Sequence, residues 1–307
     1  MLNLNKDCIV FDEPDRKFLP GDTVSGHVTF VTKSPTSARS LDISWIGFAW
    51  TRLYALTKPY NSTTYFSDQY TAWSSKDGKE KLPAGKHSFP FSFKLPKECS
   101  PSFKGQNGGI EYFVKVAMNR PRWRKNLEFK KRFPVTNEPV ETRKSDAYKK
   151  TPLNFHIALG TGGYCCVSFG EVKISGSIPV AQEFGKTMHV TLTVENMSSK
   201  PVKYVNLHIT QWSHYHALKT SCKWAAGHEC PLSSYATSTC SAGLFKQKLK
   251  FHVAPMMKKT QEFEVELPAK RPTIFTDPLM AVTFDFRLSA SNSSEGPKSF
   301  TGMGSMA

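Results

Sequence analysis

Apolar residues recur at every second position along most of the chain, and helical spacing is almost absent. Val24, Val28 and Phe30 alternate with polar partners, as do Leu41, Ile43 and Trp45. The same period runs through Phe89-Phe91-Phe93-Leu95, Tyr112-Val114-Val116-Met118, Val172-Ile174, Val190-Leu192-Val194 and Val205-Leu207-Ile209. It resumes in Leu249-Phe251-Val253, Phe263-Val265-Leu267 and Val282-Phe284-Phe286-Leu288. A period of two puts alternate side chains on one face of a strand, and the Gly, Pro, Ser and Asn between runs mark the turns. Many short strands without intervening amphipathic helices predict antiparallel sandwiches rather than a parallel sheet crossed by helices.

The two halves of the chain overlay at an offset of about 164–172 residues. Gly21-Asp-Thr-Val24 matches Gly185-Lys-Thr-Met188, and Leu41-Asp-Ile-Ser-Trp-Ile46 follows Gly21 at the distance at which Val205-Asn-Leu-His-Ile-Thr210 follows Gly185. Downstream, Ser88–Pro96 corresponds to Thr260–Pro268, and Ile110–Val116 to Met280–Phe286. Four matches in one order predict two copies of one sandwich, because sheets fix strand spacing while loops absorb insertions. The boundaries follow from composition. Residues 1–136 form the first sandwich, the polar stretch 137–153 a linker, 154–290 the second sandwich and 291–307 a flexible tail.

Composition then narrows the partners. The 307 residues carry 41 Lys/Arg and 25 Asp/Glu, a net charge of +16, with 39% hydrophobic content. That composition belongs to a folded globular protein and excludes a disordered or collagen-like chain. Residues 1–150 contribute +11 of the charge, so the field that attracts anions belongs mainly to the first half. The N-terminus has acidic residues where a signal peptide needs an apolar run, no stretch approaches 18 apolar residues, and seven cysteines stand at irregular spacing. The expectation is a cytosolic protein with reduced thiols.

The densest candidate chemistry is a basic segment. Arg120, Arg122, Arg124 and Lys125, then Lys130, Lys131 and Arg132, place seven positive charges in 13 residues against one acid, Glu128. A strand end, a turn near Asn126 and a returning strand would set the two clusters facing each other across a hairpin. Two readings stay open: capture of phosphorylated tails or anionic headgroups by charge-assisted hydrogen bonds, and a solvated basic edge that discourages sheet pairing. Trp123 between arginines is read as an indole lying along a strand end. With no RNA-binding strand motif, zinc knuckle or helix-turn-helix beside it, nucleic acid is not expected as a partner.

A second cluster comprises His214, His216, Cys222, His228, Cys230 and Cys240. Its spacings fit no zinc pattern, so no metal is expected. Cys165-Cys166 read as residues alternating between core and surface. The chain has no Gly-x-Ser-x-Gly, His-Glu-x-x-His or P-loop, and no catalytic residue or cofactor is expected.

Several segments together resemble the arrestin-domain family, in its α-arrestin branch. They are Ile9-Val-Phe-Asp12, Phe18-Leu-Pro-Gly-Asp-Thr-Val-Ser-Gly26, Leu82–Pro96, Pro101-Ser-Phe103 with Gly105, and Ile110-Glu-Tyr-Phe-Val-Lys-Val116. Cys165-Cys166, Val172–Gly176 and Val194-Glu-Asn196 fit in the second copy. The resemblance implies an all-β fold of two tandem immunoglobulin-like β-sandwich domains, arrestin N-like and C-like, each of seven strands. It also implies a non-enzymatic cytoplasmic adaptor, recruited to plasma or endosomal membranes, that binds cytoplasmic regions of membrane proteins and directs their endocytosis or sorting. A retromer-like coat subunit and a thioredoxin-linked scaffold, with Cys230 or Cys240 as the redox cysteine, are the alternatives it offers. Many α-arrestins dock ubiquitin ligases through Pro-Pro-x-Tyr motifs. These 307 residues contain no Pro-Pro dipeptide, so a ligase is expected only indirectly.

Overall fold

The structure, a computed structural model, describes residues 6–52, 60–77, 81–136, 170–177, 185, 187–217, 236–268, 274, 277, 279–291 and 302–305. Apart from one 3-10 turn at Lys6–Cys8, the regular elements among the described residues are strands. In chain order these are β1 (Ile9–Phe11), β2 (Thr23–Thr32), β3 (Thr36–Ser37), β4 (Ser40–Arg52), β5 (Tyr60–Ser74), β6 (Lys81–Leu82), β7 (Gly85–Lys94), β8 (Phe103–Lys104), β9 (Gly108–Asn119) and β10 (Leu127–Arg132). There follow β11 (Gly170–Ser177), β12 (Thr187–Ser198), β13 (Val202–Ala217), β14 (Ala236–Val253), β15 (Met257–Glu266), β16 (Met280–Ser291) and β17 (Gly302–Ser305).

The sheet orders repeat between the two halves. A sheet β1-β2-β7 faces one ordered β10-β9-β4-β5, and a sheet β11-β12-β15 faces one ordered β14-β13-β16-β17. The four strands β12, β13, β15 and β16 thus take the places of their sequence matches β2, β4, β7 and β9. The match is also conformational: Gly21 and Gly185, just before β2 and β12, share a left-handed backbone with φ of 88° and 89°, which glycine adopts without steric cost. Four residues from the segment expected to be a flexible tail, Gly302–Ser305, pair with β16 as an added edge strand. Small residues give no alternation signal, and this pairing needs only backbone groups.

The alternating residues do face inward. Val24, Val28 and Phe30 of β2 and Phe91 and Phe93 of β7 are buried, as are Leu41 and Ile43 of β4 and Tyr112, Val114 and Val116 of β9. Trp45 stacks flat on Phe93 with centroids 4.9 Å apart, while Phe11 and Phe18 each meet Phe133 edge-on at 5.7 Å. In the second half Val190, Leu192, Val194 and Val265 are buried, as are Val205, Leu207, Ile209, Leu249, Phe251, Val282 and Leu288. Each such side chain taken from water contributes about 1.5–3 kcal/mol before ordering entropy is counted.

The sandwiches meet through polar contacts. Thr51 Oγ1 donates to the His216 carbonyl at 2.8 Å, and the Gln106 amide donates to the Tyr215 hydroxyl at 3.1 Å. Tyr215 fits because its neighbours lack side chains: a Cβ at Gly105 would come within 1.9 Å of its hydroxyl oxygen, and one at Gly108 within 2.8 Å of its ring. Nearby, the Tyr65 hydroxyl donates to Asp277, whose other carboxylate oxygen accepts the Leu279 and Met280 amides at 2.8 and 2.9 Å. Asp277 is fully buried. Burial holds its carboxyl above the usual carboxylate range, and burial together with the Asp277 charge pushes the Tyr65 phenol up.

Candidate functional site

The hairpin joining β9 to β10 differs from the expected one in where it turns. The Arg124 amide donates to the Pro121 carbonyl at 2.8 Å, so the corner is Arg122-Trp123. Asn126 closes the loop from the side, its Oδ1 accepting the Arg120 amide at 2.8 Å and its Nδ2 donating to Asn119 Oδ1 at 3.1 Å. Pairing then begins at Leu127 opposite Met118. Replacing Asn126 with alanine should cost about 1 kcal/mol, because two hydrogen bonds that hold the loop are lost. Faster hydrogen exchange at the Arg120 amide, beside a small fall in the denaturation midpoint, is the check.

This turn separates the two basic clusters instead of opposing them. Arg120, Arg122, Arg124 and Lys125 stay at the tip, where with Arg39 they line a cleft of about 700 Å³. Lys130, Lys131 and Arg132 lie along β10 opposite Lys115, Val114 and Phe113. Lys130 sits over the Phe113 ring at 4.9 Å, and Arg132 pairs with Glu111 at 2.6 Å. Lys131 points inward, following the face of Leu127 and Phe129, and its ammonium donates to the Ile9 carbonyl at 2.8 Å. The seven-residue patch therefore resolves into four residues that line one cleft and three with contacts on the sheet.

Arg39 is the cation that sequence reading missed. It stands 81 positions before Arg120, yet the pairing of Ser40 with Asn119 brings them side by side, and Arg39 Nε donates to the Arg120 carbonyl at 3.2 Å. No local pattern marks it. Only the partnership of β4 with β9 would have revealed it.

Five positive groups thus share one cleft. Glu128, the acid among the lining residues, is tied to Lys115 at 3.1 Å. Arg120 Nε is buried and meets no acceptor among the described residues. An anion entering the cleft would offset the mutual repulsion of these five cations and accept charge-assisted hydrogen bonds from them. Trp123 is not a lining residue. It stands at the corner of the turn with 81% of its surface exposed, so its indole does not lie along a strand end as expected. The cause is the earlier turn, which places it beyond β9.

The second cluster does not assemble into a metal site among the described residues. Cys222, His228 and Cys230 lie outside them, as do Cys165 and Cys166 and the linker. His214 Nδ1 is 3.3 Å from Thr239 Oγ1. His216 is buried, which lowers its pKa to about 4. Cys240 sits at the junction of the sandwiches, 3.6 Å from Asn107 Nδ2.

Comparison with known proteins agrees with this architecture. Residues 8–139 match the family described as arrestin (or S-antigen), N-terminal domain. Over 246 residues the chain is 31% identical to arrestin domain-containing protein 17 of Caenorhabditis elegans, covering 75% of this chain and 55% of that protein. The chain belongs to the arrestin-domain-containing proteins. Two further members of that group also match. Arrestin domain-containing protein 1 of Homo sapiens is 26% identical over 65% of this chain and 45% of its own length, and arrestin domain-containing protein 4 of Mus musculus 25% over 50% and 44%. This arrestin-domain chain spans about half the length of the curated relatives it matches. Among its described residues no helix is long and apolar enough to cross a membrane.

Proposed function

We propose that this arrestin-domain chain is a non-catalytic cytoplasmic adaptor that binds cytoplasmic segments of membrane proteins and directs their endocytosis, sorting or intracellular transport. The observation that carries the reading is the cleft at the β9–β10 hairpin, lined by five cations, on a sandwich of the arrestin N-terminal type. Such a cleft suits an anion presented on a flexible segment, and exposed sheet edges offer backbone groups for strand addition. The sandwich supplies rigidity and the hairpin supplies charge. Nothing in the chemistry of the cleft calls for a metal or a cofactor.

Proximity labelling in cells with this chain as bait tests the proposal. Plasma-membrane and endosomal proteins should dominate the labelled set, and their labelling should fall at least fivefold when Arg120 and Arg124 are both replaced by Glu. A labelled set without membrane proteins removes the adaptor reading. A single stoichiometric soluble complex in its place favours the coat-subunit alternative.

A further inference from the structure

We infer that the β9–β10 hairpin is a membrane-docking finger. In this arrangement the Trp123 indole enters the interfacial zone of a bilayer while the cleft behind it takes the phosphate of an anionic lipid headgroup. The inference deepens the adaptor reading by naming a second partner for the same hairpin.

Three observations converge on a surface rather than a soluble ligand. Trp123 is the most exposed of the large apolar side chains described, at 81%, ahead of Met256 at 75%. It is held at a corner fixed by the Arg124–Pro121 hydrogen bond and clamped by Asn126. It also lies outside the cleft lining, although Arg122 and Arg124 on either side of it are part of that lining. A phosphopeptide filling the cleft would leave the indole in water. A bilayer extends past the tip on all sides and so engages both at once.

The chemistry of the two parts matches the two depths of a membrane surface. Tryptophan favours the boundary between headgroups and acyl chains, where its ring meets apolar carbon and its N–H meets water. Cations just above that level meet lipid phosphates, and Arg122, Arg124 and Lys125, all exposed beside Trp123, stand at that level in this pose. Neither part suffices for firm binding. Each basic residue adds a modest, salt-sensitive attraction, and one indole adds a modest apolar gain, so the pair gives a reversible dock.

Co-sedimentation of the full chain with vesicles tests this. Vesicles of phosphatidylcholine alone should leave the protein in solution, whereas vesicles with about 30% phosphatidylserine should carry it down, less so as salt rises. Trp123→Ala should weaken binding about tenfold and Trp123→Phe less. The double variant Arg122→Glu, Arg124→Glu should weaken it at least thirtyfold, since each reversal replaces an attraction with a repulsion. Trp123 and the two arginines are exposed, so these variants keep the fold, which an unchanged denaturation midpoint verifies. Brominated phosphatidylcholine in the anionic vesicles should quench part of the tryptophan emission of the unaltered protein, and Trp123→Ala should lose that part. Equal vesicle affinity for Trp123→Ala, absent quenching, or binding to a soluble phosphopeptide without binding to anionic vesicles would overturn the inference. The vesicles contain no protein, so failure here leaves the adaptor reading standing, and failure of the labelling experiment leaves this one standing.

Discussion

Substituting Gly26 with alanine should lower the stability of the first sandwich by about 3 kcal/mol, near the upper end for overpacking. Gly26 belongs to the inward row of β2, between buried Val24 and Val28, with Phe11 of β1 opposite on one side and Phe91 of β7 on the other. A Cβ there would stand 2.2 Å from the Val10 carbonyl oxygen, 2.6 Å from Phe91 Cζ and 3.0 Å from Phe11 Cα. The ring can tilt, but two of the three obstacles are backbone. Relief therefore means moving β1 away from β2, which breaks its ladder and uncovers Phe11, whose ring meets both Phe91 and Phe133. Urea denaturation followed by tryptophan fluorescence is the measurement, with Gly243→Ala as comparison because a Cβ at Gly243 meets nothing within 4 Å. A Gly26→Ala midpoint equal to that of the comparison would show that β1 adds little to the sandwich.

A loss of similar size, about 3 kcal/mol, is expected for Asp277→Ala, since each buried donor left without an acceptor costs about 1–3 kcal/mol. Three donors depend on this carboxylate: the Leu279 and Met280 amides and the Tyr65 hydroxyl from the other sandwich. Asp277→Asn should recover most of the loss, because its amide oxygen accepts both backbone N–H groups and its amide nitrogen donates to Tyr65. The two variants also differ from the native chain in their response to pH. Burial raises the Asp277 pKa in the folded state, so the folded chain holds a proton that the unfolded chain has already released. Stability from this group is therefore greatest below the unfolded carboxyl pKa and is lost as pH rises through the folded one. The asparagine variant lacks that loss, and its stability relative to native should improve as pH rises above the ordinary carboxylate range. His216, which releases its proton in the same range, is common to both chains and cancels in the difference. Parallel stability curves for the two would refute the assignment.

The repeat was legible because burial acts on every second residue and leaves its trace in each strand. Val24 and Val28 against Met188 and Leu192, with Gly21 against Gly185 at the turn, already carry the layout that the sheets display. Lys131 reads as part of the basic patch, although it shares the parity of Leu127 and Phe129 and turns toward β1. The site was less readable. Whether the hairpin turned at Trp123 or at Asn126 rested on hydrogen bonds of the Asn126 side chain with the Arg120 amide and the Asn119 side chain, which leave no periodic mark. Arg39 and the Tyr65–Asp277 pair depend on which strands become neighbours and how two sandwiches dock. Those contacts join residues 81 and 212 positions apart, and a local pattern does not reach that far.

The fit of Tyr215 against Gly105 and Gly108 sets an order of inheritance across the two sandwiches. A side chain at 105 would stand 1.9 Å from the Tyr215 hydroxyl, so it can enter only after residue 215 has become smaller. Position 108 is held more tightly, because a Cβ there meets the Trp50 carbonyl oxygen at 2.7 Å as well as the Tyr215 ring at 2.8 Å. Across descendants of this sequence a change at 105 should follow one at 215, while 108 stays glycine whatever 215 becomes.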